Sequence, residues 1–181
     1  MVVEDARWNM TNVARPPKIL RPSFGKVLAL AHAGTPTFPG VAWWELDTET
    51  QMYKLKKFPA ISKANGGHGH LDATHDVTAV EQLFARALRW NVAGMPTGEV
   101  SGIDVIDTDL QHESAREWLA RNPLPITPIQ HTPQGGKHYL FKHRAGQRNT
   151  TATPVKGIDV RGDGGFVWLW FLNGYPVENW N

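Results

Sequence analysis

The sequence predicts an α+β domain built around a mostly antiparallel sheet. Two observations carry that expectation. Short β-rich runs alternate with helical stretches over the first two thirds of the chain, and a succession of strands separated by Gly, Pro and Thr follows. The composition is that of a globular protein with a real core: 181 residues, 41% hydrophobic and 20% charged, with eight Trp.

The elements are expected in this order. Residues 1–22 are polar, hold Pro16, Pro17 and Pro22, and read as a loosely held arm, leaving 23–181 as one domain. Ser23 caps a helix from Phe24 to His32, with Val27, Leu28, Leu30 and Ala31 apolar. Val41–Leu46 and Met52–Lys57 flank the polar segment 47–51 and read as a hairpin. Ser62–His75, rich in Gly, Asn and His, is a loop. Asp76 or Thr78 then caps a helix running to about Arg89, with Val80, Leu83, Phe84, Ala87 and Leu88 on one face. Strands follow at Asn91–Met95 and Ile103–Asp107, and a helix at Glu113–Arg121 ends before Asn122-Pro123. Ile126–His131, Lys137–Lys142, Gly157–Arg161 and Phe166–Phe171 complete the strands, with Asp163-Gly164-Gly165 as a tight turn between the last two.

Several classes of function are excluded. Without cysteine there are no disulfides, thiolate catalysis or Cys-ligated zinc, which fits a cytoplasmic setting. No apolar run approaches the roughly 20 residues that span a bilayer, so no membrane partner is expected. The formal net charge is only +2, yet charge is segregated. Between Glu99 and Glu117 six acids face one base, Arg116; between Lys137 and Arg161 six bases face one acid, Asp159. Acidic and basic blocks in succession suit divalent cations beside a polyanion, although solvated surface charge gives the same pattern.

Three constellations carry candidate chemistry. Asp107 and Asp109 stand at i and i+2 at the end of a strand. Alternate residues share a strand face about 7 Å apart, close enough for two carboxylates to converge on Mg²⁺ or Mn²⁺, and an ordinary strand-end turn is the other reading. In Thr132-Pro-Gln-Gly-Gly-Lys-His-Tyr139, Gly135 and Gly136 let the backbone approach a ligand, while Lys137 and His138 add donors. That describes a triphosphate cradle or a glycine hairpin turn, and it is not a Walker A loop. In Gly157-Ile-Asp-Val-Arg161, Asp159 and Arg161 share a face, and Asp163 beyond them reads as a turn residue.

Taken in order, these elements resemble the bifunctional primase/polymerase domain of the archaeo-eukaryotic primase superfamily, over about residues 26–168. Ala29-Leu30, Gly34, Phe38-Pro39, Lys57-Phe58-Pro59, Asp72-Ala73-Thr74 and Met95-Pro96-Thr97-Gly98 add to the resemblance. It implies an RRM-like catalytic sheet joined to an N-terminal α/β unit. It implies that Asp107, Asp109 and Asp159 hold the catalytic metals. By the same resemblance Gln134, Gly135, Gly136, Lys137, His138 and Arg161 line the nucleotide site. The partners it implies are nucleoside triphosphates, a single-stranded DNA template and primer, and a downstream helical or helicase region. Departures are Gln134 where members often carry Ser, Trp168-Leu-Trp-Phe-Leu-Asn-Gly174 in place of a Pro-Pro-Ser-like segment, and a long hairpin.

The expected activity is template-directed nucleotidyl transfer onto a 3′-hydroxyl, as a DNA primase or polymerase. Because relatives place initiation contacts in the helical region and this chain ends at Asn181, extension without efficient initiation is expected. A metal-dependent nuclease would use the same carboxylates, and a non-catalytic nucleic-acid-binding module would use the sheet alone. His68-Gly69-His70, with Asp72 and His75 nearby, has the spacing of the His-x-His of rolling-circle nucleases but not the bulky apolar residue that motif requires, since Gly69 stands between the two histidines, and a mobile loop is the other reading. Trp43, Trp44, Trp168 and Trp170 are candidates to stack on bases, with core packing as their default. Lys54, Lys56, Lys57 and Lys63 are candidates to track phosphates.

Overall fold

Hydrophobic patterning builds, among the described residues, two antiparallel sheets, where patterning alone predicts one and the family resemblance adds an N-terminal α/β unit. The structure, a computed structural model, describes residues 15–180, so most of the expected arm lies outside the described residues. The elements are α1 (Phe24–His32), β1 (Phe38–Asp47), β2 (Met52–Pro59), α2 (Val77–Arg86), β3 (Val92–Pro96), β4 (Ile103–Thr108), α3 (Glu113–Arg121), β5 (Ile129–His131), β6 (Lys137–Lys142), β7 (Ile158–Arg161), β8 (Phe166–Trp168) and β9 (Val177–Glu178).

One sheet has the order β2-β1-β3-β8 and the other β7-β4-β6-β5-β9. The chain therefore passes between sheets three times, at β3 to β4, at β7 to β8 and at β8 to β9. The segment Asp163-Gly164-Gly165 makes the expected tight turn, the Gly165 amide donating to the Gly162 carbonyl at 3.0 Å, but the strands it joins, β7 and β8, belong to different sheets. The N-terminal unit is likewise an antiparallel sheet that borrows β8 from the far end of the chain. Gly162 and Gly98 permit the crossover. A Cβ at Gly162 would lie 2.2 Å from the Gln147 carbonyl, and one at Gly98 2.3 Å from the Asp163 carboxylate.

Apolar faces explain the packing. Val27 and Ala31 of α1, Val80, Leu83 and Phe84 of α2, and Phe38, Val92, Ala93, Val105, Trp168 and Trp170 belong to one buried cluster. Val105 is the contribution of β4, so the face of β4 that carries Val105 turns toward the first sheet. Close approach at β3 needs Gly94, where a Cβ would meet the Phe38 ring at 2.2 Å. Asn91 fastens the β1 edge, donating to the Ala42 carbonyl at 2.8 Å and accepting from the Ala42 amide at 2.8 Å.

α1 and α3 run over the expected residues. Asp76 caps α2, its carboxylate accepting from the Ala79 amide at 2.8 Å, and the helix stops at Arg86, short of Arg89. The hairpin extends to Phe38 and Pro59. β5 starts only at Ile129, and Ile126 is exposed. β8 stops at Trp168, where a 3-10 turn over Trp170–Asn173 begins shortly after. Among the described residues, no helix is long and apolar enough to cross a membrane.

Candidate active site

β4 carries the site. Antiparallel pairing sets Asp107 directly opposite His138 on β6 and directly opposite Asp159 on β7. Residues in such register share a face with Cβ atoms about 5 Å apart. Three residues distant in sequence therefore meet on the face that also carries Val105, beside the first sheet. His138 Nε2 lies 3.4 Å from Asp107 Oδ1. Arg161, two residues beyond Asp159 and on the same face, places its guanidinium 2.6 Å from Asp159 Oδ2 and 3.6 Å from Asp107 Oδ2.

The electrostatics follow from that placement. Burial pushes the Asp107 carboxyl up, but His138, Arg161 and Lys57 outweigh it and hold the group down at about 2. Asp107 is therefore ionised at neutral pH. Lys57 enters from β2, on the same side of the hairpin as buried Ala42, its register partner. The residue as a whole is exposed, and its ammonium stands 5.8 Å from the ring centroid of buried Trp170. Desolvation there lowers its pKa, and Asp107 opposes the shift. Lys57 is thus a site residue that the sequence marks only within the Lys57-Phe58-Pro59 run and among four lysines that could track phosphates.

Asp109 sits just past β4. Its amide donates to the Gly157 carbonyl at 2.8 Å, and its carboxylate accepts from the Gln111 amide at 3.0 Å. Gly157, at φ 87°, allows this contact, since a Cβ there would stand 3.0 Å from the Asp109 carbonyl. His112 Nε2 is 3.7 Å from Asp109 Oδ2.

The glycine loop is built differently from a phosphate cradle. The Gly135 amide donates to the Thr132 carbonyl at 3.1 Å, and the Gly136 amide donates to Thr132 Oγ1 at 3.0 Å. Both N–H groups are taken within the turn. The Gln134 carbonyl accepts from the Gln111 side chain at 3.1 Å. Gly136 is required by proximity: a Cβ there would lie 2.2 Å from the Thr108 carbonyl. Lys137 is not brought to the cluster. It alternates with His138 along β6 and points to the opposite face, where Glu178 on β9 binds its ammonium at 2.7 Å and His131 at 2.5 Å.

Other candidates are placed as follows. Asp163 accepts from the Glu99 amide at 2.9 Å, in keeping with a turn role. His68 pairs with Asp72 at 3.0 Å, while the His70 ring packs 4.8 Å from that of Phe166. Trp168 and Trp170 are core, Trp44 packs against it, and Trp43 is 41% exposed against Phe58. Lys54 and Lys56 pair with Asp47 and Glu45 on the outer face of the hairpin.

The donor chemistry fits a hard cation, because Asp107, Asp109 and Asp159 offer carboxylate oxygens alone. Their arrangement is held by protein cations: Arg161 stands against both Asp107 and Asp159, and the Ala152 amide donates to Asp159 Oδ1 at 2.8 Å. Among the described residues no three acidic or imidazole groups form a ready-made metal cage.

No curated protein matches the chain. The family model described as bifunctional DNA primase/polymerase, N-terminal, matches residues 27–172, which takes in the first sheet, all of the second but β9, the Asp107–His138–Asp159 cluster and Lys57. With its motif residues assembled on three neighbouring strands inside that span, the chain belongs to the bifunctional DNA primase/polymerase (Prim-Pol) family.

Proposed function

We propose that this chain catalyses template-directed nucleotidyl transfer from nucleoside triphosphates onto a 3′-hydroxyl. The observation that carries the reading is the cross-strand cluster: an ionised Asp107 flanked in register by His138 and Asp159, with Arg161 and Lys57 beside it. A binding module has no need of carboxylates and cations gathered at one point.

Asp107, Asp109 and Asp159 are the residues to hold Mg²⁺ or Mn²⁺, which supplies charge stabilisation at the attacked α-phosphate and at the leaving pyrophosphate. In the transfer the 3′-oxygen bonds to the α-phosphorus and the bond to pyrophosphate breaks. The chain's own cations handle the triphosphate. His138 donates from Nε2, Arg161 exchanges its carboxylate partners for phosphate oxygens, and Lys57 neutralises charge from the first sheet. Gly135 and Gly136 act through the backbone, setting the start of β6 so that His138 faces Asp107. Rate enhancement then comes from positioning and electrostatics. Lys137, on the opposite face, fastens β6 to β9.

The test is incubation with a primed single-stranded template, Mg²⁺ or Mn²⁺ and one labelled nucleoside triphosphate. Template-dependent addition to the primer supports the reading. Strand cleavage that needs no triphosphate would make the protein a nuclease. Metal-independent strand binding without turnover would make it a binding module.

A further inference from the structure

The buried glutamine beside His138 has its amide orientation fixed by two backbone groups. Gln130 on β5 is the register partner of His138 and is 1% exposed. Its side chain meets the Trp168 carbonyl through Nε2 at 2.9 Å, and the Phe171 amide approaches Oε1 at 3.4 Å. A backbone carbonyl only accepts and a backbone N–H only donates. Both contacts therefore demand the same orientation, nitrogen toward Trp168 and oxygen toward Phe171.

The same Nε2 lies 2.9 Å from His138 Nδ1. With one amide hydrogen on the Trp168 carbonyl, the second points at the ring nitrogen, which must accept it. A neutral imidazole whose Nδ1 accepts carries its hydrogen on Nε2, the nitrogen 3.4 Å from Asp107 Oδ1. We propose that Gln130 is a positioning residue that fixes the His138 ring and its Nε2–H tautomer, so that the nitrogen facing the site is a donor. With the other tautomer, an Nε2 lone pair would confront the Asp107 carboxylate and any phosphate oxygen.

The device spans both layers. Trp168 ends β8 of the first sheet and Phe171 lies in the turn after it, while Gln130 and His138 belong to the second. All of the glutamine's polar atoms are bonded, as a polar group in an apolar interlayer requires. The consequence for triphosphate binding rests on the nucleotidyl-transfer reading; the tautomer itself does not.

The decisive measurement is made on the full chain with ¹⁵N-labelled histidine. Two-bond ¹H–¹⁵N correlations at about pH 8, above the usual imidazole range, identify the protonated ring nitrogen. The His138 signals are those lost in His138→Asn. A protonated Nε2 and bare Nδ1 in the unmutated protein are expected, and a protonated Nδ1 or an even mixture would overturn the proposal without any Gln130 variant having to fold. Gln130→Met should raise the KM for triphosphate roughly two- to tenfold, the range of one neutral hydrogen bond, with template affinity unchanged. Equal losses in both would reduce Gln130 to a packing residue. The expected tautomer in a protein that adds no nucleotide would keep the lock and remove the nucleotidyl-transfer reading.

Discussion

Asp107 and His138 face one another across β4 and β6, with Oδ1 and Nε2 3.4 Å apart, although 31 positions separate them in the chain. Because strand register fixes the pair, its two members should be separable by mutation without loss of the fold.

Asp107→Asn keeps the shape of the side chain and removes its charge. Nucleotide incorporation should fall below detection while the circular dichroism spectrum stays that of the parent. Asp109→Asn, at a half-exposed turn, should behave alike. Residual activity in both variants would detach the carboxylates from the chemistry.

His138→Ala should weaken triphosphate binding more than template binding. A hydrogen bond to a charged group is worth roughly 1.5–3 kcal/mol, about ten- to a hundredfold in affinity. Titration calorimetry with a non-hydrolysable triphosphate measures it, and unchanged affinity would remove His138 from the nucleotide site.

Lys57→Met should lower triphosphate affinity roughly two- to fivefold, with the difference shrinking as salt rises, because the lost contribution is that of a partly solvated charge. Methionine keeps the unbranched stem and removes only the ammonium. No change at low salt would confine Lys57 to a structural role.

Acid should expose the strained charge balance at Asp107. Its carboxyl binds protons less readily in the folded protein than in the unfolded chain, so its contribution is complete above the ordinary value of 3.8 and is lost as pH falls through about 2. Denaturant melts in chelator should show stability dropping across that interval, and Asp107→Asn should flatten the drop. A parallel pH dependence in the two proteins would refute the assignment.

The two loop glycines should differ in kind. Gly136→Ala forces a Cβ to within 2.2 Å of the Thr108 carbonyl, and overpacking of this sort costs roughly 1–3 kcal/mol. Gly135→Ala meets open space and pays only for its φ of 81°, about 1 kcal/mol. Urea denaturation ranks them.

Much of this was legible in the sequence. α1, α3 and β6 are marked by local signals, a helical period or an alternating run, and were placed to the residue. Asp107, Asp109, His138, Asp159 and Arg161 were singled out by motif order. Their convergence was not, since it depends on pairing β4 with both β6 and β7. The make-up of the N-terminal sheet is not legible in the sequence, because β8 joins β3 across some seventy residues, a non-local pairing with no local mark. The glycine loop misled for a related reason: which amides are free depends on Thr132, whose hydroxyl accepts one of them. Gln130 carries no motif of its own, and the Lys57-Phe58-Pro59 run assigns no chemistry to its lysine; the stacking of the two sheets gives both residues their place.

The face of β6 used by the enzyme is the most exposed point of this account. Single-nucleotide extension of a primed template, followed at saturating and subsaturating triphosphate in the parent, Asp107→Asn, His138→Ala and Lys137→Ala, tests it directly. Expected are no extension by Asp107→Asn, extension by His138→Ala that recovers at high triphosphate, and near-parental behaviour of Lys137→Ala, whose ammonium is held by Glu178 on the far side of the sheet. Loss of extension in Lys137→Ala with the carboxylate variants active would place the chemistry on the opposite face and contradict it.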